Sequence, residues 1–190
     1  MINKIFLALT VFSLSACESP IQNNYTQSTS QGEIMLEDFS EKSLLNWNIV
    51  NDTVMGGRSQ ARMSVRDNKA EFMGFLSLAN NGGFSSVRAY YPNDLFDINS
   101  IVLRVRGDGR KYSFRVRTDN NSWVSYTQSF DTKKDTWQEV VLDIKDFYPT
   151  YRGYSLRNIP KLSDSIIREI GIMISDKIEG NFKIDVDWIK

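Results

Sequence analysis

From Glu33 to the C-terminus the sequence repeats one pattern, and that pattern restricts the fold more than any other feature. Short runs carry an apolar residue at every second position, and each run is closed by Gly, Asn, Asp or Pro. Successive side chains of a strand point to opposite faces, so a period of two makes one face apolar and leaves the other wet. Ile101, Leu103 and Val105 alternate with Arg104 and Arg106; Tyr112, Phe114 and Val116 alternate with Arg115 and Arg117. In the last run Phe182, Ile184, Val186 and Trp188 oppose Lys183, Asp185 and Asp187. Such runs recur at a spacing of about 8–12 residues with no long 3.6-residue periodicity. The pattern predicts an all-β domain, a two-sheet antiparallel β-sandwich over residues 33–190.

Further strands are expected at 58–65, 69–78, 84–91, 123–130, 137–144 and 166–175, with Ile34, Leu36 and Phe39 in the first run. Gly107-Asp108-Gly109 reads as a tight hairpin between two Arg-bearing strands. Residues 148–163, with Pro149, Gly153 and Pro160, read as an ordered surface loop. A short helical turn is expected over Ser163–Ile167, capped by Ser163 or Asp164.

The first 32 residues have a different composition. Lys4 followed by the apolar run Ile5–Leu14 reads as a signal segment of residues 1–16, too short for a bilayer span of about 20 residues. It ends Leu14-Ser15-Ala16-Cys17, which resembles the bacterial lipobox. That resemblance implies lipidation of Cys17, with membrane attachment through the N-terminal lipid. Residues 17–32 read as a polar tether. Glu18 rather than Asp after Cys17 implies a bacterial cell-envelope address, at the outer membrane facing the periplasm.

Composition removes several chemistries. The chain has no His, and Cys17 is its only Cys. A Ser-His-Asp triad, a Cys-His pair, imidazole metal ligation, internal disulfides and thiolate zinc sites are therefore excluded. Lys plus Arg equals Asp plus Glu, 23 against 23, so no global field for nucleic acid exists. No cofactor is expected.

Within this frame Trp47–Ser59, W-N-I-V-N-D-T-V-M-G-G-R-S, is the most irregular stretch. Asn51-Asp52 and Gly56-Gly57 break the strand twice. One reading is a ligand or partner site presenting Asp52. The other is a tight corner plugged by Met55. Asn80-Asn81-Gly82-Gly83 forms a second turn-rich loop, and Asp52, Asn81 and Arg88 are candidate polar groups of one pocket. Arg104, Arg106, Arg115 and Arg117 are expected on the non-core side of adjacent strands, with Trp123 and Tyr126 as stacking surfaces. Guanidinium forks bind carboxylates, phosphates and sugar hydroxyls. The alternative is a solvated face of cross-strand ion pairs. Glu37, Asp38, Asp185 and Asp187 are oxygen ligands of the type calcium takes, but no calcium-loop motif is present and no metal site is assigned.

Several motifs in order resemble the complex I intermediate-associated protein 30 family: Trp47–Ser59 itself, F-M-G-F-L-S-L-A-N-N-G-G-F-S-S-V-R (Phe72–Arg88), L-R-V-R-G-D-G-R-K-Y (Leu103–Tyr112), F-Y-P-T-Y-R-G (Phe147–Gly153) and I-G-I-M-I-S-D-K-I-E-G-N-F-K-I (Ile170–Ile184). The resemblance implies a galactose-binding-like jelly roll, akin to carbohydrate-binding modules. It implies no enzyme but a module that binds a protein partner or assists assembly of a complex. A carbohydrate-binding role is the alternative, and a carboxylate hydrolase a third.

Overall fold

A computed structural model describes residues 33–120 and 122–190. The signal segment, the tether and Cys17 lie outside the described residues. Among the described residues there are twelve strands: β1 (Trp47–Asn51), β2 (Gln60–Arg66), β3 (Lys69–Leu76), β4 (Ser85–Leu95), β5 (Ser100–Gly107), β6 (Lys111–Thr118), β7 (Ser125–Asp131), β8 (Trp137–Asp143), β9 (Tyr148–Tyr151), β10 (Tyr154–Ser155), β11 (Ile167–Ile174) and β12 (Gly180–Ile189). They form a seven-stranded sheet in the order β1-β4-β11-β6-β7-β9-β10 and a five-stranded sheet in the order β2-β3-β12-β5-β8. Every ladder between these strands is antiparallel.

The core lies between the sheets and is supplied by the alternation. Ile101, Leu103 and Val105 face Tyr112, Phe114 and Val116, all at most 1% exposed. Phe72 and Phe182 meet edge to face at 5.1 Å, a geometry that adds to simple burial. The first and last described segments clasp each other: Ile189 N donates to Glu37 O, while Leu36 N and Glu37 N donate to Ile189 O. The buried Glu37 carboxylate accepts from Phe39 N at 2.6 Å, Ser43 Oγ at 2.8 Å and Trp47 Nε1 at 2.9 Å. The first apolar run therefore contributes a single bridge to β12 rather than a strand.

Three local expectations are corrected. The alternation of β12 breaks at a register shift between Val186 and Trp188, so Ile189 enters the core and Trp188 does not; an extra residue in one strand reverses every side chain after it. The expected loop at 148–163 contains β9 and β10, and its helical turn is a 3₁₀ turn over Leu162–Asp164 with no side-chain cap. Gly107-Asp108-Gly109 is an arch between the sheets, not a hairpin, because β5 pairs with β8 and β12 while β6 pairs with β7 and β11. Asp108 holds the arch: its carboxylate accepts from Arg110 N at 3.0 Å and, across the sandwich edge, from Lys183 N at 2.8 Å.

Candidate functional site

The corner after β1 is built around a buried carboxylate. Asn51 is extended, residues Asp52–Met55 make a 3₁₀ turn, and Gly56 closes it at φ 89°. The turn directs Asp52 inward, where it is 0% exposed. Oδ1 accepts from Ser59 N at 2.8 Å; Oδ2 accepts from Ser59 Oγ at 2.6 Å, Gly83 N at 2.6 Å and Phe84 N at 3.4 Å. Ser59 Oγ in turn accepts from Ser77 N at 3.0 Å. One side chain thus ties together the ends of β1, β2, β3 and β4. Burial alone would raise the Asp52 pKa, but the Ser59 hydroxyl and the amides of Gly83, Ser59 and Phe84 outweigh it and hold the carboxyl below its ordinary value.

This geometry explains the glycines. A Cβ on Gly57 would stand 2.3 Å from Asp52 Cγ, and one on Gly82 would stand 2.4 Å from Oδ2. Gly82→Ala is expected to destabilise the domain by about 1–3 kcal/mol through overpacking; a chemical denaturation midpoint equal to that of the parent would refute the tight fit. Two readings of the corner are corrected. Met55 is 54% and Val54 70% exposed, so neither plugs it. Asp52, Asn81 and Arg88 do not form one pocket: Asp52 is sealed, Asn81 is exposed in a left-handed turn, and Arg88 lies on the open face of the sheet.

The four candidate strand arginines separate onto two sheets. Arg104 and Arg106 lie on the outer face of the five-stranded sheet. Arg104 pairs with Asp187 at 2.8 Å and Arg106 with Asp185 at 2.7 Å, and both guanidiniums stack over Trp137 at 5.6 and 5.1 Å. That face is the solvated ion-pair ladder of the alternative reading. It also occupies Asp185 and Asp187, while Glu37 is taken by its own donors. Among the described residues no group of three or more metal-ligating side chains gathers. Tyr126 is a core residue at 1% exposure, its hydroxyl donating to Pro160 O at 2.7 Å, so it offers no stacking surface. Trp123 is half exposed, edge-on to Tyr151 at 5.3 Å.

Arg115 and Arg117 instead meet Arg88. Strand register places Arg88 (β4), Gly171 (β11), Arg115 (β6) and Thr127 (β7) in one row across the outer face of the seven-stranded sheet. In the next row Glu169 stands between Tyr90 and Arg117. Gly171 has no side chain, and the gap it leaves is a shallow depression lined by Ser86, Arg88, Arg115, Ser125 and Glu169. Even a methyl group there would come within 2.6 Å of Val87 O.

The cluster holds three guanidiniums and one carboxylate. Glu169 lies 4.0 Å from Arg88 and 3.5 Å from Arg117. Arg88 Nε and Arg117 Nε donate to Ser86 Oγ and Ser125 Oγ, both at 3.2 Å. Arg115 has only the Met173 sulfur, at 3.2 Å, and its buried Nε has no hydrogen-bond partner among the described residues. Burial, then the charges of Arg88 and Arg117, pull the Arg115 pKa down to about 10 against the opposing pull of Glu169. It therefore stays cationic at neutral pH, and the group attracts anions, with Glu169 the carboxylate beside it. Sequence alternation placed the arginines outward. Glu169, Gly171 and Tyr90 were missed because their membership depends on pairing between distant strands.

The comparisons agree with this architecture. The family described as Complex I intermediate-associated protein 30 (CIA30) matches residues 37–186, and the chain belongs to it. Complex I intermediate-associated protein 30, mitochondrial, of Mus musculus is 28% identical over 185 residues, covering 84% of this chain and 56% of the relative. The probable counterpart of Caenorhabditis elegans is 24% identical over 158 residues, covering 80% and 46%. The chain thus spans about half the length of these curated relatives. Among solved structures it is similar to the family 11 carbohydrate-binding module of a Clostridium thermocellum cellulosomal cellulase: TM-score 0.62, 16% identity, 83% of this chain and 93% of that one. The same module in complex with a β-1,3-1,4-mixed-linked tetrasaccharide gives 0.60 at 15% identity, covering 82% and 92%. At such identities the likeness is one of fold, a galactose-binding-like jelly roll. The expected bacterial outer-membrane address is corrected: the relatives are named as mitochondrial proteins and point to mitochondria instead. That address rested on residues 1–18 alone, on the likeness of Leu14-Ser15-Ala16-Cys17 to a lipobox and on Glu18 after it, all outside the described residues.

Proposed function

We propose that this member of the family is a non-catalytic binding module that holds a protein partner while a larger complex is assembled, as the name of its relatives associates them with intermediates of complex I. The observation that carries the reading is the outer face of the seven-stranded sheet. It presents a cationic, shallow, partly buried cluster of three guanidiniums with the Glu169 carboxylate among them. A mitochondrial setting follows from the same relatives. The test is native electrophoresis of solubilised mitochondrial membranes with the tagged chain added. Co-migration with a complex I assembly intermediate is the expected result, and migration only as the free chain would overturn it.

A second reading has an observation of its own. The same face carries the exposed Ser129, with Tyr90 and Tyr148 exposed at 63% and 44%, while Ser113, Ser125 and Thr127 there are buried and already hydrogen-bonded. Hydroxyl, guanidinium and aromatic groups together are a sugar-binding chemistry. A glycan array probed with the folded domain separates the two readings.

A further inference from the structure

Arg115 differs from Arg110, another sequestered arginine. Arg110 is 11% exposed at its side chain and is answered by Asp176 at 2.6 Å and by backbone carbonyls. Arg115 is set into the sheet with a thioether on one nitrogen and, among the described residues, no carboxylate of its own and no hydrogen-bond partner for its buried Nε. A buried donor without an acceptor costs free energy, and the Arg115 side chain lines the Gly171 depression. The local charge agrees: three guanidiniums against Glu169 leave an excess of two positive charges. At 3.5 and 4.0 Å, Glu169 is a loose counter-charge between Arg117 and Arg88, not a clamp.

Resting on the binding-module reading above, we infer that the Arg88–Arg115–Arg117 cluster seats a side-chain carboxylate from an acidic segment of a partner polypeptide. A guanidinium fork matches a carboxylate in plane and can engage it through two N–H groups. The shape of the site selects the source of that carboxylate. A free small molecule needs a cleft that covers most of its surface; the Gly171 gap is a shallow cup in a broad face. A carboxylate that arrives attached to a protein surface needs only the cup, while the surround meets the partner. Tyr90 and Tyr148 lie exposed on that surround, and Tyr with Arg is the composition that dominates the centres of protein interfaces. Glu169 then acts as an internal competitor, neutralising Arg88 and Arg117 until the partner's carboxylate arrives.

The test is fluorescence anisotropy of labelled hexaglutamate titrated with the full chain. Arg115→Gln is expected to weaken binding by about tenfold or more. Glu169→Gln is expected to tighten it several-fold by removing the competing carboxylate. Arg104→Gln, on the opposite sheet, should leave it unchanged. Loss of binding equally in Arg104→Gln and Arg115→Gln would overturn the site as general charge attraction. Displacement by inorganic phosphate, mole for mole, would overturn the acidic-segment assignment, as would Arg115-dependent binding of cellohexaose without binding of hexaglutamate. Should Arg115→Gln fail to fold by circular dichroism, Glu169→Gln decides alone: tightening supports the site and no change overturns it. Co-migration with an assembly intermediate that survives Arg115→Gln would leave the module reading standing and place its contact elsewhere.

Discussion

Asp52→Ala is expected to destabilise the domain by about 3–5 kcal/mol, enough to lower the melting temperature by roughly 10 °C. The substitution removes one carboxylate but strands three backbone amides and a hydroxyl, those of Ser59, Gly83, Phe84 and the Ser59 side chain. Each buried donor left unpaired costs more than the hydrogen bond was worth in the folded state. Asp52→Asn keeps the shape and is still expected to be destabilising, because its amide presents a donor where the protein already presents donors. A melting temperature within 2 °C of the parent for both variants, taking about 2–4 °C per kcal/mol, would show that the corner is held by its glycines and packing. The pH dependence has a definite sign. The folded carboxyl is held below the ordinary value of 3.8, so its contribution is complete above that value and is lost as pH falls through the folded pKa. Acid melts should therefore steepen below about pH 4 in the parent and not in Asp52→Asn.

The same residue marks the boundary of what the sequence made legible. That Asn51-Asp52 and Gly56-Gly57 break the strand is local chemistry, and so is the outward placement of Arg104, Arg106, Arg115 and Arg117. Whether Asp52 faces in or out depends on Gly83 and Phe84, about thirty residues downstream, and no spacing rule reports that. The arch at Gly107–Gly109 failed for the same reason: a Gly-Asp-Gly triplet specifies a sharp turn, while the choice between hairpin and crossover belongs to Asp108 reaching Lys183 N. The separation of the four arginines followed from that one connection. It converted an expected single Arg face into a satisfied ladder on one sheet and an unsatisfied cluster on the other. Tyr126 was misplaced by residue type alone: an aromatic with a polar tip suits a binding face, yet its alternation phase is that of Phe130, which is core. The bulge before Trp188 had no signal in the sequence.

Arg110→Ala should cost a comparable amount, about 3–5 kcal/mol, by a different route. Arg110 reaches the loop after β11 and closes it: Nε and Nη2 donate to the two oxygens of Asp176 at 2.9 and 2.6 Å, Nη1 to the carbonyl of Asn181 at 2.8 Å, and Nη2 also to that of Ile178. Both side chains are largely buried, at 11% and 5% exposure. Burial acts to raise the Asp176 pKa, and the Arg110 hydrogen bonds reverse that and hold it low. Without the guanidinium, Asp176 must be protonated or exposed, and the loop loses its tie to the start of β6. The adjoining corner should loosen with it, since Glu179 in the same loop accepts from Leu78 N at 2.9 Å, just ahead of the Asn80–Gly83 turn that caps Asp52. Hydrogen exchange at Leu78 and Gly83 should therefore accelerate in Arg110→Ala beyond what its global stability loss accounts for. The double variant Arg110→Met/Asp176→Leu separates charge from packing. Replacing a buried pair by apolar groups is close to neutral where breaking it is not, so the double variant should recover most of the lost stability. If it is as unstable as Arg110→Ala, the carbonyl contacts of Arg110 and not its pairing with Asp176 hold the loop in place.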